Sequence, residues 1–344
     1  MKAYRITEQG SAGTWDDVPM PTPADDEVLI QMTAAGLCRS DLEVIDHGVE
    51  FLPWQGPFTL GHENVGWVKE VGAHITDLSV GESVVVTAAS SCGTCDFCLT
   101  GRDNFCLIRP RSYGIADDGG LAPFMTARRR DVLPIGGLDH RVAAPLGDAG
   151  ATAYGAIDEI RPYLRDEGFV VVIGVGGVGS LTVQLLKLLT SATVIAVDHR
   201  DRLDLAQKAG ADELIPAGEE AAELILNVTG PQGADVIIDV VGNDQTLALA
   251  ARLVRQLGAI AVVGTAGGTF PFGFTSQNFG ARVFSSITCS LSQLKALFQL
   301  AERGLLNVEY ESYDFDDLER GYNDLRAGLV RGRPVVLFPG EQPA

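Results

Sequence analysis

The feature that most restricts this chain is a glycine pattern, GVGGVG at residues 174–179, set between the apolar run FVVVI and the helical pattern SLTVQLLKLL. Gly174 allows the tight turn, Gly176 lets a backbone approach a pyrophosphate, and Gly179 lets helix and strand pack closely. Gly177 and Val178 open the helix, whose unpaired N–H groups and dipole attract phosphate. Asp198 closes the next apolar strand, VIAVD. It would accept ribose hydroxyls and repel a 2′-phosphate, so NAD is expected over NADP, with Arg200 softening that preference. An ordinary strand-to-helix turn is the plainer reading of the same residues.

Further apolar runs follow (ATVIAVD, ADVIIDVVG, AIAVVGTAG), each trailed by a helix-like stretch, as in a parallel sheet covered on both faces. Residues 1–149 differ, with much Gly and Pro and short alternating runs such as EVLIQMTAAG, NVGWVKEVG and GESVVVTAA. That texture suits an all-β unit. The start, MKAYRITEQG, reads as an edge strand and lacks the apolar core of a signal peptide. After about residue 290 come a helix, a short strand and helix, and the strand RPVVLF, which could return to the first half.

A chain of 344 residues exceeds one ordinary core, so two domains are expected. A net charge of −19 argues against nucleic acid as partner. The dense basic run Arg128-Arg129-Arg130, closed by Asp131, suits a solvated loop or strand end. No apolar run reaches the roughly 20 residues that span a bilayer. A cytoplasmic protein with no membrane partner is expected.

In that reducing setting six cysteines suggest metal before disulfides. Cys92, Cys95, Cys98 and Cys106, spaced C-x2-C-x2-C-x7-C, can surround one tetrahedral Zn²⁺ and leave no open position, which makes the site structural. An Fe–S cluster and a pair of disulfides are the alternatives. Cys289 reads as a core residue. Cys38, in GLCRSDL, is followed by His62 and Glu63 in LGHENVG. A thiolate and an imidazole are half of a catalytic zinc site, which needs three ligands and an open position. A small buried Cys and a turn His are the plain alternatives. In PLGDAGATAYG, residues 145–155, Asp148 stands in small apolar company with no Lys or Arg nearby. Such a carboxylate faces water, caps a helix or holds something positive.

Taken in order, GLCRSD, LGHENVG, the four-cysteine lobe, PLGDAGATAYG and VIGVGGVG with Asp198 resemble a zinc-dependent alcohol dehydrogenase of the medium-chain dehydrogenase/reductase superfamily. The resemblance covers essentially the whole chain. It implies an α/β protein: a GroES-like β-rich catalytic domain from residues 1–149 and 290–344, with a structural-zinc lobe at about 90–107, and a Rossmann domain with a doubly wound parallel sheet over 150–289.

By position the resemblance makes Asp148 the third ligand of a catalytic zinc beside Cys38 and His62, as in some microbial secondary-alcohol dehydrogenases. It makes Glu63 a carboxylate that approaches the metal as ligands exchange, and Asp41 the partner of the far nitrogen of His62. Ser40 begins a proton relay, although it could instead cap the next helix. Many members end that relay with a His where this chain has Glu43, which leaves Glu43, His47 or water for the last step. Arg39 and Arg333 match positions that pair with pyrophosphate, surface charge being the alternative. Thr152 matches the residue beneath the nicotinamide, and Val263 one whose backbone meets its carboxamide.

The expected activity is therefore zinc-dependent, NAD-linked hydride transfer between alcohol and carbonyl, with two zinc ions per subunit. The Asp ligand favours secondary alcohols and ketones. The loop GVEFLPWQGPF, with Phe51, Trp54 and Phe58, favours a hydrophobic substrate over a polyol or sugar alcohol. A non-catalytic NAD-binding redox sensor is the reading from another class, and its mark would be a missing zinc ligand. The resemblance also implies a homo-oligomer, tetramer or dimer.

Overall fold

The structure, a computed structural model, describes residues 1–8, 10–48, 56–270, 272–274 and 278–340. Phe51 and Trp54 lie outside the described residues. The chain divides into two compact units, Met1–Asp148 with Ser290–Ala344, and Ala149–Cys289.

The first unit is built on alternation. Among the described residues its main sheet runs Tyr310–Asp314, Arg333–Leu337, Glu27–Gly36, Glu63–Val71, Ser83–Val86, Val132–Pro134, with Phe124–Arg128 also paired to Glu27–Gly36. Val28, Ile30, Met32, Val68, Val84 and Val86 turn into one core with Phe58, Leu60 and Leu121. Lys2–Ile6 is a correction to the sequence reading. It lies between Thr14–Asp17 and Phe58–Thr59 and is central in its sheet, not an edge. Its partners are too short and too polar (TWDD, FT) to announce themselves as strands.

The ends of three neighbouring strands meet at one place in this unit. Glu63 pairs with Gly36, Val335 pairs with Gly36 from the other side, and the Leu37 N–H donates to the Pro334 carbonyl at 2.9 Å. The helix Arg39–His47 leaves from this point with Cys38 as its N-cap residue. The helix His140–Pro145 approaches it along the sheet. Its first residue is fastened at both ring nitrogens: Ser83 Oγ lies 2.6 Å from His140 Nε2, and the Thr33 hydroxyl meets Nδ1. Pro145 has no N–H to continue the α-helical ladder, and the chain widens into a π-helical turn over Leu146–Gly150. Asp148 sits in that turn.

The second unit is the doubly wound sheet expected from its apolar runs. Among the described residues six parallel strands lie in the order Glu213–Pro216, Thr193–Asp198, Phe169–Ile173, Ala234–Asp239, Val254–Val262, Arg282–Ser285. Phe169–Ile173 is where the strand order reverses, and ligands of open α/β sheets bind beyond the strand ends at such a point. Asp235, fully buried, ties three segments together. Its Oδ1 accepts from Arg165 Nε at 2.5 Å and Arg255 Nε at 2.7 Å, and its Oδ2 from the Phe169 N–H at 2.9 Å. Among the described residues no helix is long and apolar enough to cross a membrane.

Candidate functional site

In the second unit the glycine turn leaves the central strand directly. Gly174 has φ +87°, a backbone that disfavours side chains. A Cβ on Gly179 would strike the Gly174 carbonyl, so only glycine lets the helix Gly177–Leu189 start this close to the strand. Gly176 is the helix N-cap residue and has open space beside it, with Gly177 and Val178 as the first two helical residues. Asp198 is pinned to this turn: Oδ2 accepts from the Val175 N–H at 2.6 Å and Oδ1 from the His199 N–H at 2.7 Å. Val263 donates its N–H to the Asp239 carbonyl at 2.8 Å. Thr152 is the second residue of the helix Ala151–Ile160 and is half-buried.

In the first unit Cys92, Cys95, Cys98 and Cys106 converge, their sulfurs lying within 4.8 Å of one another. Neighbouring sulfurs are 3.5 Å (Cys95–Cys98), 3.8 Å (Cys92–Cys98) and 3.9 Å (Cys95–Cys106) apart. These spacings far exceed a disulfide bond of about 2.05 Å. They match the edge of a tetrahedron, roughly 3.8 Å for Zn–S bonds near 2.3 Å. None of the six cysteines is disulfide-bonded. Backbone N–H groups of Thr94 and Cys95 point at Cys92 Sγ, and those of Cys92 and Arg109 at Cys106 Sγ. The Thr94 hydroxyl and then its N–H pull the Cys92 thiol down to about 5, whereas burial pushes Cys98 up to about 12. A cation is what would expel the Cys98 proton.

The basic run beside this lobe is a strand end, but it is not merely solvated. Arg128 Nη1 donates to Ser90 Oγ (3.0 Å) and the Ser91 carbonyl (3.2 Å), and Arg130 Nε to Ser91 Oγ (2.9 Å). The two arginines brace the segment that leads into Cys92, while Arg129 pairs with Asp77 at 2.8 Å.

The second cluster forms where the three strand ends meet. Ligand atoms of Cys38, His62, Glu63 and Asp148 all lie within 4.8 Å of one another. Asp148 Oδ2 is 3.7 Å from Cys38 Sγ and 3.5 Å from His62 Nε2. Tetrahedral zinc with one sulfur and two lighter ligands has edges of roughly 3.3–3.6 Å, so this donor set fits one ion. A thiol, an imidazole and two carboxylates are gathered here beside one guanidinium, a donor set suited to a metal. Arg333, 7% exposed, donates from Nη2 to Asp148 Oδ2 (3.0 Å) and from Nε to Glu63 Oε2 (3.2 Å), and its Nη2 also meets Glu63 Oε1. A residue expected at a pyrophosphate is thus inside the carboxylate cluster.

Burial raises Glu63 to about 7 against the pull of Arg333. It would raise Asp148 too, but the His62 hydrogen bond and charge outweigh it and hold Asp148 below the usual carboxylate range. His62 is 2% exposed, and burial alone would lower its pKa. The Asp41 charge, with Asp148 and Cys38, instead holds it well above the usual value.

Asp41 Oδ1 lies 2.9 Å from His62 Nδ1. Asp41 Oδ2 accepts from the Cys38 N–H at 2.9 Å and from the Tyr322 hydroxyl at 3.1 Å. Sequence reasoning had no access to Tyr322, whose separation from Asp41 is 281 residues. Ser40 does not cap the helix; its hydroxyl is 3.3 Å from His62 Nε2. Asp148 is likewise no N-cap, for it lies within a helical run and turns to Cys38, His62 and Arg333. Arg39 is exposed at the start of its helix, and at the other end His47 and Glu43 are 3.9 Å apart and open to water.

Comparison with known proteins agrees with both halves. The alcohol dehydrogenase GroES-like domain model matches residues 24–137, and the zinc-binding dehydrogenase model matches residues 177–303. A D-arabinose 1-dehydrogenase (NADP(+)) of Saccharolobus solfataricus is 34% identical, over 93% of this chain and 93% of its own. An NAD-dependent alcohol dehydrogenase of Sulfurisphaera tokodaii is 32% identical, over 98% of this chain and all of its own. The crystal structure of the alcohol dehydrogenase from Aeropyrum pernix superposes with a TM-score of 0.91 at 32% identity, over 98% of this chain and 100% of that one. The chain belongs to the zinc-containing alcohol dehydrogenases of the medium-chain dehydrogenase/reductase superfamily, and is an oxidoreductase.

Proposed function

We propose that this enzyme transfers hydride between a hydrophobic secondary alcohol and NAD, with two zinc ions per subunit. The observation that carries the reading is the convergence of Cys38, His62 and Asp148, a three-ligand set with a carboxylate where the family more often has a thiolate. When bound, zinc at these residues supplies Lewis acidity that lowers the pKa of an alcohol, and the nicotinamide accepts the hydride.

The protein's own groups hold the reactants and move the proton. Cys38, His62 and Asp148 hold the metal, and Glu63 stands beside it, kept back by Arg333. Ser40 Oγ would accept the proton of the bound alcohol while passing its own hydroxyl proton on towards the cofactor ribose, with Glu43, His47 or water as the last acceptor. Cys92, Cys95, Cys98 and Cys106 hold the second, closed ion. Gly174, Gly176 and Gly179 shape the pyrophosphate turn, and Asp198 receives the adenosine ribose.

The specificity test is a panel of secondary and primary alcohols, ketones and sugars, assayed with NAD and NADP beside zinc analysis. Two zinc equivalents and the highest kcat/KM on a hydrophobic secondary alcohol are expected. One zinc equivalent, or a sugar as best substrate, would overturn the reading. Similarity to a D-arabinose dehydrogenase favours the sugar as second reading.

Asp198→Ala is expected to raise the NADP-to-NAD ratio of kcat/KM by about tenfold or more, the equivalent of roughly 1.4 kcal/mol. NAD binding itself should weaken, because the Val175 N–H loses its acceptor. An unchanged cofactor ratio removes Asp198 from the ribose.

A further inference from the structure

Behind the metal cluster lies a second layer that the proposed chemistry does not use. Tyr322, on the helix Leu318–Arg326, is 4% exposed, and its hydroxyl has one buried target, Asp41 Oδ2 at 3.1 Å. Asp41 is 1% exposed and has two jobs on two oxygens. Oδ2 is held by Tyr322 and by the Cys38 N–H, and Oδ1 faces His62 Nδ1 at 2.9 Å. The carboxylate can turn only by breaking the pair of bonds on Oδ2. Tyr322 is itself fixed, with its ring stacked on Tyr4 at 6.0 Å and 27°.

We propose that Tyr322 is a positioning residue for the metal, acting through Asp41 to hold the His62 imidazole in its ligating orientation. The proposal rests on the assignment of Cys38, His62 and Asp148 as metal ligands made above. Groups behind a metal-bound histidine fix its tautomer and ring direction, and their loss costs metal affinity. Tyr322 suits that task because it is a donor only toward Asp41. Burial and then the Asp41 charge keep its proton on, well above the usual tyrosine range.

The test is zinc release from the purified enzyme without cofactor, followed with a chromogenic chelator. Wild type is expected to release its two ions in separate phases, the phase absent from Asp148→Ala belonging to the catalytic site. Tyr322→Phe keeps the ring stack and removes only the hydroxyl. It should speed the catalytic phase about tenfold, the low end for groups behind a metal ligand, and leave the structural phase unchanged. Tyr4→Phe, which keeps the same stack, should change neither phase.

A double-mutant cycle separates positioning from bulk packing. In an Asp41→Ala background Tyr322→Phe should have almost no further effect, because its path to His62 is already cut. Release at the wild-type rate in Tyr322→Phe, or additive effects in the cycle, overturns the proposal while leaving the metal assignment standing. A wild-type enzyme without the Asp148-dependent phase overturns both.

Discussion

Asp148→Ala is expected to leave the enzyme with one zinc equivalent and to lower kcat/KM by on the order of a thousandfold, consistent with several kcal/mol of charge stabilisation supplied by a catalytic metal. NAD should still bind, because the glycine turn belongs to the other unit. The size of the effect follows from the cluster's composition. Cys38 and His62 alone are a two-ligand site, and a catalytic zinc holds three protein ligands. Among the described residues Glu63 is the only other carboxylate in the cluster, and Arg333 grips both of its oxygens. Asp148→Cys is the companion variant, expected to regain the second zinc with a thiolate in the same turn. Zinc analysis with steady-state kinetics decides the matter, and full activity in Asp148→Ala would remove that residue from the metal.

Asp235→Ala should destabilise the second unit by about 3 kcal/mol, the lower end for breaking a buried ion pair. Arg255, whose side chain is 14% exposed, loses a buried partner, and the first N–H of the central strand loses its acceptor. Arg165 is 54% exposed and can turn to water, so it adds little. The linkage has a definite sign. Burial would raise the Asp235 pKa, but Arg165, the Phe169 N–H and Arg255 outweigh it and set it below its ordinary 3.8. Its contribution is complete above that value and lost as pH falls through the depressed one. Urea midpoints of wild type and Asp235→Ala should therefore differ most near neutral pH and converge in acid. A constant gap across the acid limb would show that packing, not charge, sets the loss.

What could be read from the amino-acid sequence tracks the range of the forces involved. The second unit was legible because FVVVI, TVIAVD and ADVIID are buried on both faces and the glycine turn is local. The four cysteines were legible because one short loop carries them all. The three-stranded N-terminal sheet was not, since a two-residue strand has no period to detect. Neither were two contacts behind the ligand cluster, Arg333 with Glu63 and Tyr322 with Asp41. Arg333 stands 270 residues from Glu63 and Tyr322 stands 281 from Asp41, and only the sheet register brings them to one place. A sequence pattern can nominate a thiol, an imidazole and a carboxylate. It does not reveal which cation neutralises them or which phenol steadies them.

The first unit is assembled from two stretches of chain, with the strand Arg333–Leu337 laid against Glu27–Gly36. On the ribosome Cys38, His62 and Asp148 emerge long before Tyr322 and Arg333. At about 5–20 residues per second, the interval is on the order of ten seconds or more. Throughout it the thiol, imidazole and carboxylates lack both the Arg333 guanidinium and the strand Arg333–Leu337 at their side. Metal captured then would meet a looser, more exchangeable set of donors than the finished enzyme offers. Closure by the strand Arg333–Leu337 would therefore also be the step that commits an ion held there.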